Sequence, residues 1–142
     1  QSPQVPAGER VRYRSRCRTR WSDEDNQGVL NNAVYLPLFE EARHAYFDKL
    51  GLLEGRHFPF LLAQTNVRFL APGRGNVELE VEVRTTRLGT SSFEQAYRIR
   101  EAPGGRVWCE AEAVCVFIDA RTGQSTPMSA HFKQSIATFE GH

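Results

Sequence analysis

The chain has 142 residues, of which 40 % are hydrophobic and 25 % are charged, and its formal net charge at pH 7 is +1. This composition excludes a disordered chain, and the length suits one domain with a real core. The charge argues against a nucleic-acid partner, because polyanion binders carry a basic excess. No run approaches the roughly 20 apolar residues that a membrane-spanning helix needs, so we expect no membrane partner.

The N-terminal stretch and the cysteines indicate where the protein works. The first ten residues lack the apolar segment of a secretory signal. Three cysteines, an odd number, lie in strand-like runs and resemble small buried apolar residues more than a disulfide framework or metal cluster. We therefore expect a cytoplasmic protein with a single domain over residues 1–142, of which residues 1–9 form a flexible extension.

The first predicted element is a strand over Arg10–Trp21, where arginines occupy every even position. Alternation with period two predicts a strand with one face against a core. The residues expected on that inner face are Val11, Tyr13, Cys17 and Trp21. Six like charges on the outer face need solvent, acidic neighbours or an anion, and pairing with glutamates is the simplest account.

A long helix is predicted over Asn32–Leu50, after an acidic loop over residues 21–30. Apolar residues recur there at spacings of three and four: Val34, Tyr35, Leu38, Phe39, Ala42, Ala45, Tyr46 and Leu50. Asn31 and Asn32 are good N-caps, and Gly51 suits the helix end. Pro37 removes one backbone hydrogen bond, so either the first turn is irregular or the regular helix begins at Pro37.

Further strands are predicted over Leu61–Leu70, Val77–Leu88, a segment that begins near Ser92, and Arg106–Ile118. If Leu88 and Ser92 flank the first turn, Glu82 lies opposite Arg98, and a Pro-Gly-Gly loop then places Arg98 opposite Glu110. Such a Glu-Arg-Glu ladder contributes about 0.2 to 1 kcal/mol per pair. A short amphipathic helix is predicted over Pro127–Phe139.

The order of these elements predicts an α+β fold, with a curved antiparallel sheet wrapped around one long central helix. The usual cofactor and metal motifs are missing from the sequence, including glycine-rich phosphate loops, HExxH and CxxC, so we expect no cofactor and no metal. No Gly-x-Ser-x-Gly elbow supports a serine nucleophile.

The remaining candidate for chemistry is the acidic loop that leads into the long helix. Unpaired N–H groups in the first turn of a helix form a positive pole that stabilises a developing oxyanion. A carboxylate a few residues upstream, on a loop that turns at Gly28, could activate water or attack the same carbonyl. Acids before a helix are also common as caps, and the residues alone leave both interpretations open.

The segment Arg20–Arg43 (RWSDEDNQGVLNNAVYLPLFEEAR) resembles the first motif of hotdog-fold acyl-CoA thioesterases, specifically the 4-hydroxybenzoyl-CoA thioesterase-like group. The motif is roughly Asp-x-Asp-x-x-Gly-(His or aliphatic)-Val-x-Asn, followed by an aromatic-rich helix. Weaker agreement continues through Val67–Gly73, Leu79–Val83 and Gly89–Phe93. The resemblance spans about residues 10–130 and implies the hotdog fold and hydrolysis of an acyl-CoA.

Carried over by position, the resemblance implies that Asp25 is the catalytic carboxylate and that the Asn32 backbone N–H is the oxyanion donor. Gly28 matches the turn glycine, and Asp23 matches an acid that shapes the loop. Many relatives carry histidine where Val29 stands here, which leaves Asp25 as the sole candidate base or nucleophile.

The resemblance also suggests substrate contacts. The nucleotide or pantetheine of CoA is expected near four residues: Arg84, Arg87, Ser91 and Ser92. Asn31 and Tyr35, at the start of the helix, could line an acyl pocket together with Gly28 and Val29. Ordinary surface charge is the alternative for the arginines, and core packing is the alternative for Tyr35.

Hotdog domains pair into homodimers, often as dimers of dimers, and the resemblance implies the same here, including a homotetramer. The competing hypothesis is a non-catalytic module that binds acyl-CoA or an acyl carrier protein. A hotdog hydratase usually requires a catalytic histidine, and Val29 argues against it.

Overall fold

The computed structural model describes residues 11–142, so Arg10 and the expected extension over residues 1–9 lie outside the described residues. The elements are β1 (Tyr13–Arg18), α1 (Tyr35–Lys49), β2 (Leu61–Phe69), β3 (Glu78–Leu88), β4 (Ser92–Glu101), β5 (Val107–Val116) and α2 (Ala130–Glu140). Over residues 11–142 the strands form one antiparallel sheet in the order β1-β3-β4-β5-β2. This sheet with one main helix confirms the predicted α+β hotdog fold.

The first strand ends sooner than its alternation predicts. β1 stops at Arg18, and residues Trp21–Asp23 form a short 3₁₀ turn instead. The Trp21 side chain is 74 % exposed, so its expected place on the inner face is wrong. The reason is a side-chain contact, since the Asp23 carboxylate accepts a hydrogen bond from Arg20 N at 2.8 Å and holds the chain in the turn.

The first turn of the long helix is irregular, which is one of the two outcomes that Pro37 allowed. Residues Asn32–Val34 form a 3₁₀ turn, and the Asn31 side chain caps it by accepting a hydrogen bond from Ala33 N. The regular helix α1 then continues to Lys49. Its buried face includes Phe47, which the apolar stripe omitted and whose ring contacts those of several other phenylalanines: Phe58, Phe60, Phe93 and Phe132.

The predicted charge ladder is confirmed and extends across the whole sheet. Glu82 lies opposite Arg98, and Arg98 lies opposite Glu110. Arg14 on β1 and Arg68 on β2 add a pair at each edge, at 3.5 Å from Glu82 and from Glu110. The Glu82 side chain is only 7 % exposed while that of Arg14 is 48 % exposed, so the arginines cover the glutamates and partly neutralise them.

The turn before β4 has a different register from the predicted one. Leu88 pairs with Phe93 and not with Ser92, and an irregularity between Thr85 and Arg87 takes up the extra residue. Glu82 therefore still faces Arg98. A bulge of this kind adds one residue to one strand, and the charge pairs beyond it are unaffected.

The short C-terminal helix is confirmed as α2, with Ser129 as its N-cap and Phe132 and Ile136 buried. Glu140, its last residue, accepts hydrogen bonds from the Tyr46 hydroxyl at 2.6 Å and from Thr85 N at 2.8 Å. These two bonds fasten α2 to α1 and to β3. None of the helices in the described part of the chain is long and apolar enough to cross a membrane.

Candidate active site

The acidic loop is built around Asp23, whose side chain is almost fully buried. Its carboxylate accepts hydrogen bonds from the Arg20 backbone at 2.8 Å and from the Arg20 guanidinium at 2.9 Å. Burial raises the pKa of Asp23, but these hydrogen bonds outweigh burial and hold the pKa below its ordinary value. The Asp23 carbonyl also accepts from Asn31 N at 2.9 Å, so this residue ties the start of the loop to its end.

Asp25 lies at the exposed tip of the loop, inside a tight turn. Asp25 N donates a hydrogen bond to Val29 O at 2.8 Å. Gly28 has a φ of +75°, a backbone angle that residues with a side chain rarely adopt. Asp25 Oδ1 accepts hydrogen bonds from Gln27 N at 2.8 Å and from Val29 N at 3.5 Å. The other oxygen, Oδ2, has no protein donor within residues 11–142, so one carboxylate oxygen is held and the other is open.

The segment between β2 and β3 holds this loop in place. Leu30 N donates to Gly73 O at 2.9 Å, and Gly75 N donates to the Glu24 carboxylate at 2.7 Å. The loop and residues 73–75 therefore run side by side, at the end of the sheet where β2 finishes.

A pocket of about 300 Å³ lies between the start of the helix and this segment. It is lined by Val29, Leu30, Asn32, Tyr35, Phe69, Leu70, Ala71, Pro72 and Gly73. The Asn32 N–H, in the first turn of the helix, has no acceptor in the described part of the chain. The pocket thus combines an unpaired helix N–H with a mostly apolar lining, and the open Asp25 oxygen lies on the adjoining loop, outside that lining.

The residues proposed from sequence fall into two groups within one chain. The first group lies together in the loop and at the start of the helix: Asp25, Gly28, Val29, Asn31, Asn32 and Tyr35. The second group lies on β3, in the turn that follows it and at the start of β4: Arg84, Arg87, Ser91 and Ser92. Ser92 and Leu61 both align with Val116, whereas the pocket is at Phe69, at the other end of β2, roughly 25 Å away.

Sequence reasoning missed residues 70–73, which together with Phe69 form the far wall of the pocket. Phe69 and Leu70 are 49 % and 52 % exposed, although their apolar character predicts a buried strand end. The local sequence signal for this wall is Gly73. Its φ is open to any residue, but its surroundings leave no room for a side chain. A Cβ atom there would lie 2.7 Å from the Tyr35 hydroxyl oxygen and 2.8 Å from Trp108.

Gly73→Ala is expected to destabilise the fold by about 1 to 3 kcal/mol, because the added methyl group overpacks the junction of helix, loop and strand end. Urea unfolding, followed by circular dichroism, measures this change. Adding Tyr35→Phe removes the nearest atom and should restore part of the loss. An unchanged free energy of unfolding in Gly73→Ala would contradict the close approach.

The sequence was compared with protein families and with known proteins. Residues 19–136 match the family model described as the thioesterase-like superfamily. The acyl-CoA thioester hydrolase YbgC of Escherichia coli O6:H1 is 29 % identical over 112 residues, which cover 75 % of this chain and 82 % of YbgC. The acyl-CoA thioesterase YbgC of Helicobacter pylori (strain ATCC 700392 / 26695) is 30 % identical over 91 residues, or 61 % of this chain and 68 % of that protein.

Solved structures with a similar fold include thioesterases. A thioesterase from Thermus thermophilus, complexed with coenzyme A and Zn, superposes with a TM-score of 0.81 at 31 % identity, covering 93 % of this chain and 97 % of that one. Slr0204, a 1,4-dihydroxy-2-naphthoyl-CoA thioesterase from Synechocystis, has a TM-score of 0.80 at 18 % identity, covers 88 % and 95 % of the two chains, and shows the shared fold. The molecule is a hotdog-fold protein with an acidic loop at the start of its helix. It belongs to the thioesterase-like superfamily, which confirms the resemblance noted in residues 20–43.

Proposed function

We propose that this protein is an acyl-CoA thioester hydrolase that releases a free acid and CoA. The observation that carries the proposal is that the loop with the open Asp25 oxygen leads directly into the helix start, where the unpaired Asn32 N–H belongs to a residue that lines the pocket. Relatives named as acyl-CoA thioester hydrolases, and a structural neighbour solved with coenzyme A, support the same reaction.

In the proposed mechanism the thioester carbonyl lies between these two groups. Asp25 either takes a proton from water, whose oxygen then attacks the carbonyl carbon, or attacks that carbon itself. The Asn32 N–H donates a hydrogen bond to the oxyanion that forms. Collapse of this intermediate breaks the C–S bond, and the CoA thiolate leaves and takes up a proton, which comes from Asp25 in the first route and from solvent in the second. In the second route, water then hydrolyses the acyl-aspartate.

A homodimer is part of the proposal, and pairs of dimers form a tetramer. β2 is an edge strand of the described sheet, and exposed apolar residues lie at its two ends and directly after it: Leu61, Leu62, Phe69 and Leu70. Exposed apolar edge strands are typical sites of strand pairing. Antiparallel pairing of two β2 strands around a two-fold axis would set the Leu61 end of the second copy beside the pocket. Arg87, Ser91 and Ser92 of that copy would then approach the CoA from the other side.

The cysteines support a cytoplasmic location for the enzyme. Cys17, Cys109 and Cys115 are free thiols. Burial is the main cause that raises the pKa of Cys109 to about 12 and that of Cys115 to about 11, so both stay protonated and unreactive. Free thiols are usual in a reducing compartment.

Thiol release from a panel of short, medium, long and aromatic acyl-CoAs tests this function. We expect the purified protein to release CoA from at least one member of the panel, as detected with a chromogenic thiol reagent. Parallel calorimetric titration separates the competing hypothesis. Tight binding of an acyl-CoA with no thiol release would overturn the proposed hydrolase and would favour a non-catalytic binding module.

A further inference from the structure

The connection between α1 and β2 carries a well-anchored loop tip, formed by residues 54–57. Glu54 N donates to His57 O at 2.9 Å, and His57 N donates to Glu54 O at 3.1 Å. The His44 ring on α1 donates from Nε2 to Arg56 O at 3.1 Å, which fastens the tip to the helix. Residues 54–57 are all exposed, so the tip presents its side chains to solvent on a fixed backbone.

Two side chains of this tip, Arg56 and His57, make no hydrogen bond, ion pair or ring contact within residues 11–142. The chain is anchored directly after them, because Phe58 stacks on the buried Phe60 with 4.8 Å between ring centroids. The guanidinium and the imidazole therefore do not serve the stability of the loop that holds them. A ligand bound here would order only these side chains, since the backbone is already fixed.

The tip lies at the end of the sheet that carries the serines expected to contact CoA. It leads into β2, whose first residue, Leu61, aligns with the same residue of β5 as Ser92 does. The arginine expected there, Arg87, already pairs with Glu94 at 3.3 Å. The Arg56 guanidinium has no carboxylate partner in the described part of the chain and is available for an anion.

In the proposed homodimer this tip adjoins the pocket of the other chain. Antiparallel pairing of two β2 strands sets the start of β2 in one copy beside the end of β2 in the other. Residues 69–73, at and beyond that end, line the pocket. Since His57 precedes Leu61 by only four residues, the tip of the second copy lies next to this wall.

We propose that Arg56 and His57 of the second copy bind the phosphate groups of CoA, so that each site is completed by the loop of the other chain. A guanidinium binds a phosphate through two parallel N–H···O bonds, and an imidazole N–H adds a third. The phosphates of CoA are remote from its thioester, so the tip binds substrate without touching the reacting atoms. This inference rests on the proposed hydrolase function and homodimer.

Thioesters with and without phosphate groups test the contact. The variant is Arg56→Gln/His57→Gln, and the substrates are an acyl-CoA that the wild type hydrolyses and the same acyl group on pantetheine. We expect the variant to raise KM for the acyl-CoA by about 10-fold, as the loss of charge-assisted hydrogen bonds predicts. Its KM for the acyl-pantetheine, and kcat for both substrates, should stay at the wild-type values.

Arg16→Gln is the matched control for the loss of an exposed guanidinium. Arg16 lies on β1, at the opposite edge of the sheet from β2, and its side chain is 58 % exposed. This variant should keep the wild-type KM for both substrates.

Co-expression with Asp25→Asn shows which chain supplies the tip. If the tip acts across the interface, a mixed dimer of the two variants contains one site with an intact Asp25 and an intact tip. Well below KM, the co-expressed protein should then be several-fold more active than an equal mixture of the separately purified variants, assayed directly after mixing. A tip that acts within its own chain would leave the two samples equally active.

The outcomes separate this inference from the function on which it rests. A wild-type KM for the acyl-CoA in Arg56→Gln/His57→Gln would overturn the phosphate contact and leave the hydrolase intact. Equal activity of the co-expressed and mixed samples would overturn the contribution of the second copy. No thiol release by the wild type from any acyl-CoA would overturn the hydrolase, whereas equal Kd values of wild type and variant for free CoA, measured by calorimetric titration, would overturn the tip alone.

Discussion

Replacing Asp25 by asparagine is expected to lower kcat/KM for thioester hydrolysis by about two to four orders of magnitude, the usual contribution of a positioned acid or base. The asparagine side-chain oxygen can still accept the hydrogen bonds from Gln27 N and Val29 N, so the loop keeps its shape. The amide is neither a base nor a nucleophile, so the chemical step loses its reacting group. Steady-state thiol release measures the effect, and the urea midpoint verifies that the fold is intact.

Asp119 offers a matched control for this substitution. Its Oδ1 accepts a hydrogen bond from Arg121 N at 2.8 Å, two residues on, as Asp25 Oδ1 accepts from Gln27 N at 2.8 Å. Asp119→Asn therefore makes the same chemical change in the same kind of turn, at a residue outside the pocket lining and the proposed CoA contacts, and should leave kcat/KM near the wild-type value. A normal rate in Asp25→Asn would remove Asp25 from the mechanism.

The double variant Leu61→Glu/Leu62→Glu is expected to convert the protein to monomers and to abolish most of its activity. Both side chains are about half exposed on the β2 edge, at 58 % and 46 %, so the substitutions cost the isolated fold little. They place charge among the apolar contacts of the proposed interface, where unpaired charge is strongly disfavoured. Analytical ultracentrifugation measures the assembly, and thiol release measures the activity.

Lys49→Glu is the control for charge, because it also changes the formal charge by −2 but lies at the exposed end of α1. It should retain both assembly and activity. An assembled and active Leu61→Glu/Leu62→Glu variant would show that β2 is not the interface. A monomeric variant with full activity would show instead that the site is complete within one chain.

The fold was largely predictable because its signals are local and repeated. Every predicted helix and strand is present, since strict alternation and helical spacing act over many residues and tolerate an error at one end. The predictions failed where a single contact decides the path of the chain or the register of a strand. The capture of Asp23 by Arg20 turns the chain and exposes Trp21, and the bulge before Arg87 shifts the pairing of the turn by one residue.

The candidate site was predictable only in the part that is contiguous in sequence. Residues 23–32 lie in one loop, so a short motif contains them all. The opposite wall is about 40 residues away along the chain, and the bond from Leu30 N to Gly73 O that joins the two walls has no sequence signature.

The hydrogen bonds that anchor the acidic loop also fix the dipoles around the candidate site. The loop is tied to itself through Asn31 N and Asp23 O, and to the neighbouring segment through Gly73 and Gly75. Dipoles fixed in this way do not have to rotate as negative charge builds up on an oxygen, whereas those of bulk water do. In the proposed mechanism, the reorganisation that water would undergo during the reaction is thus completed when the chain folds, before any substrate arrives.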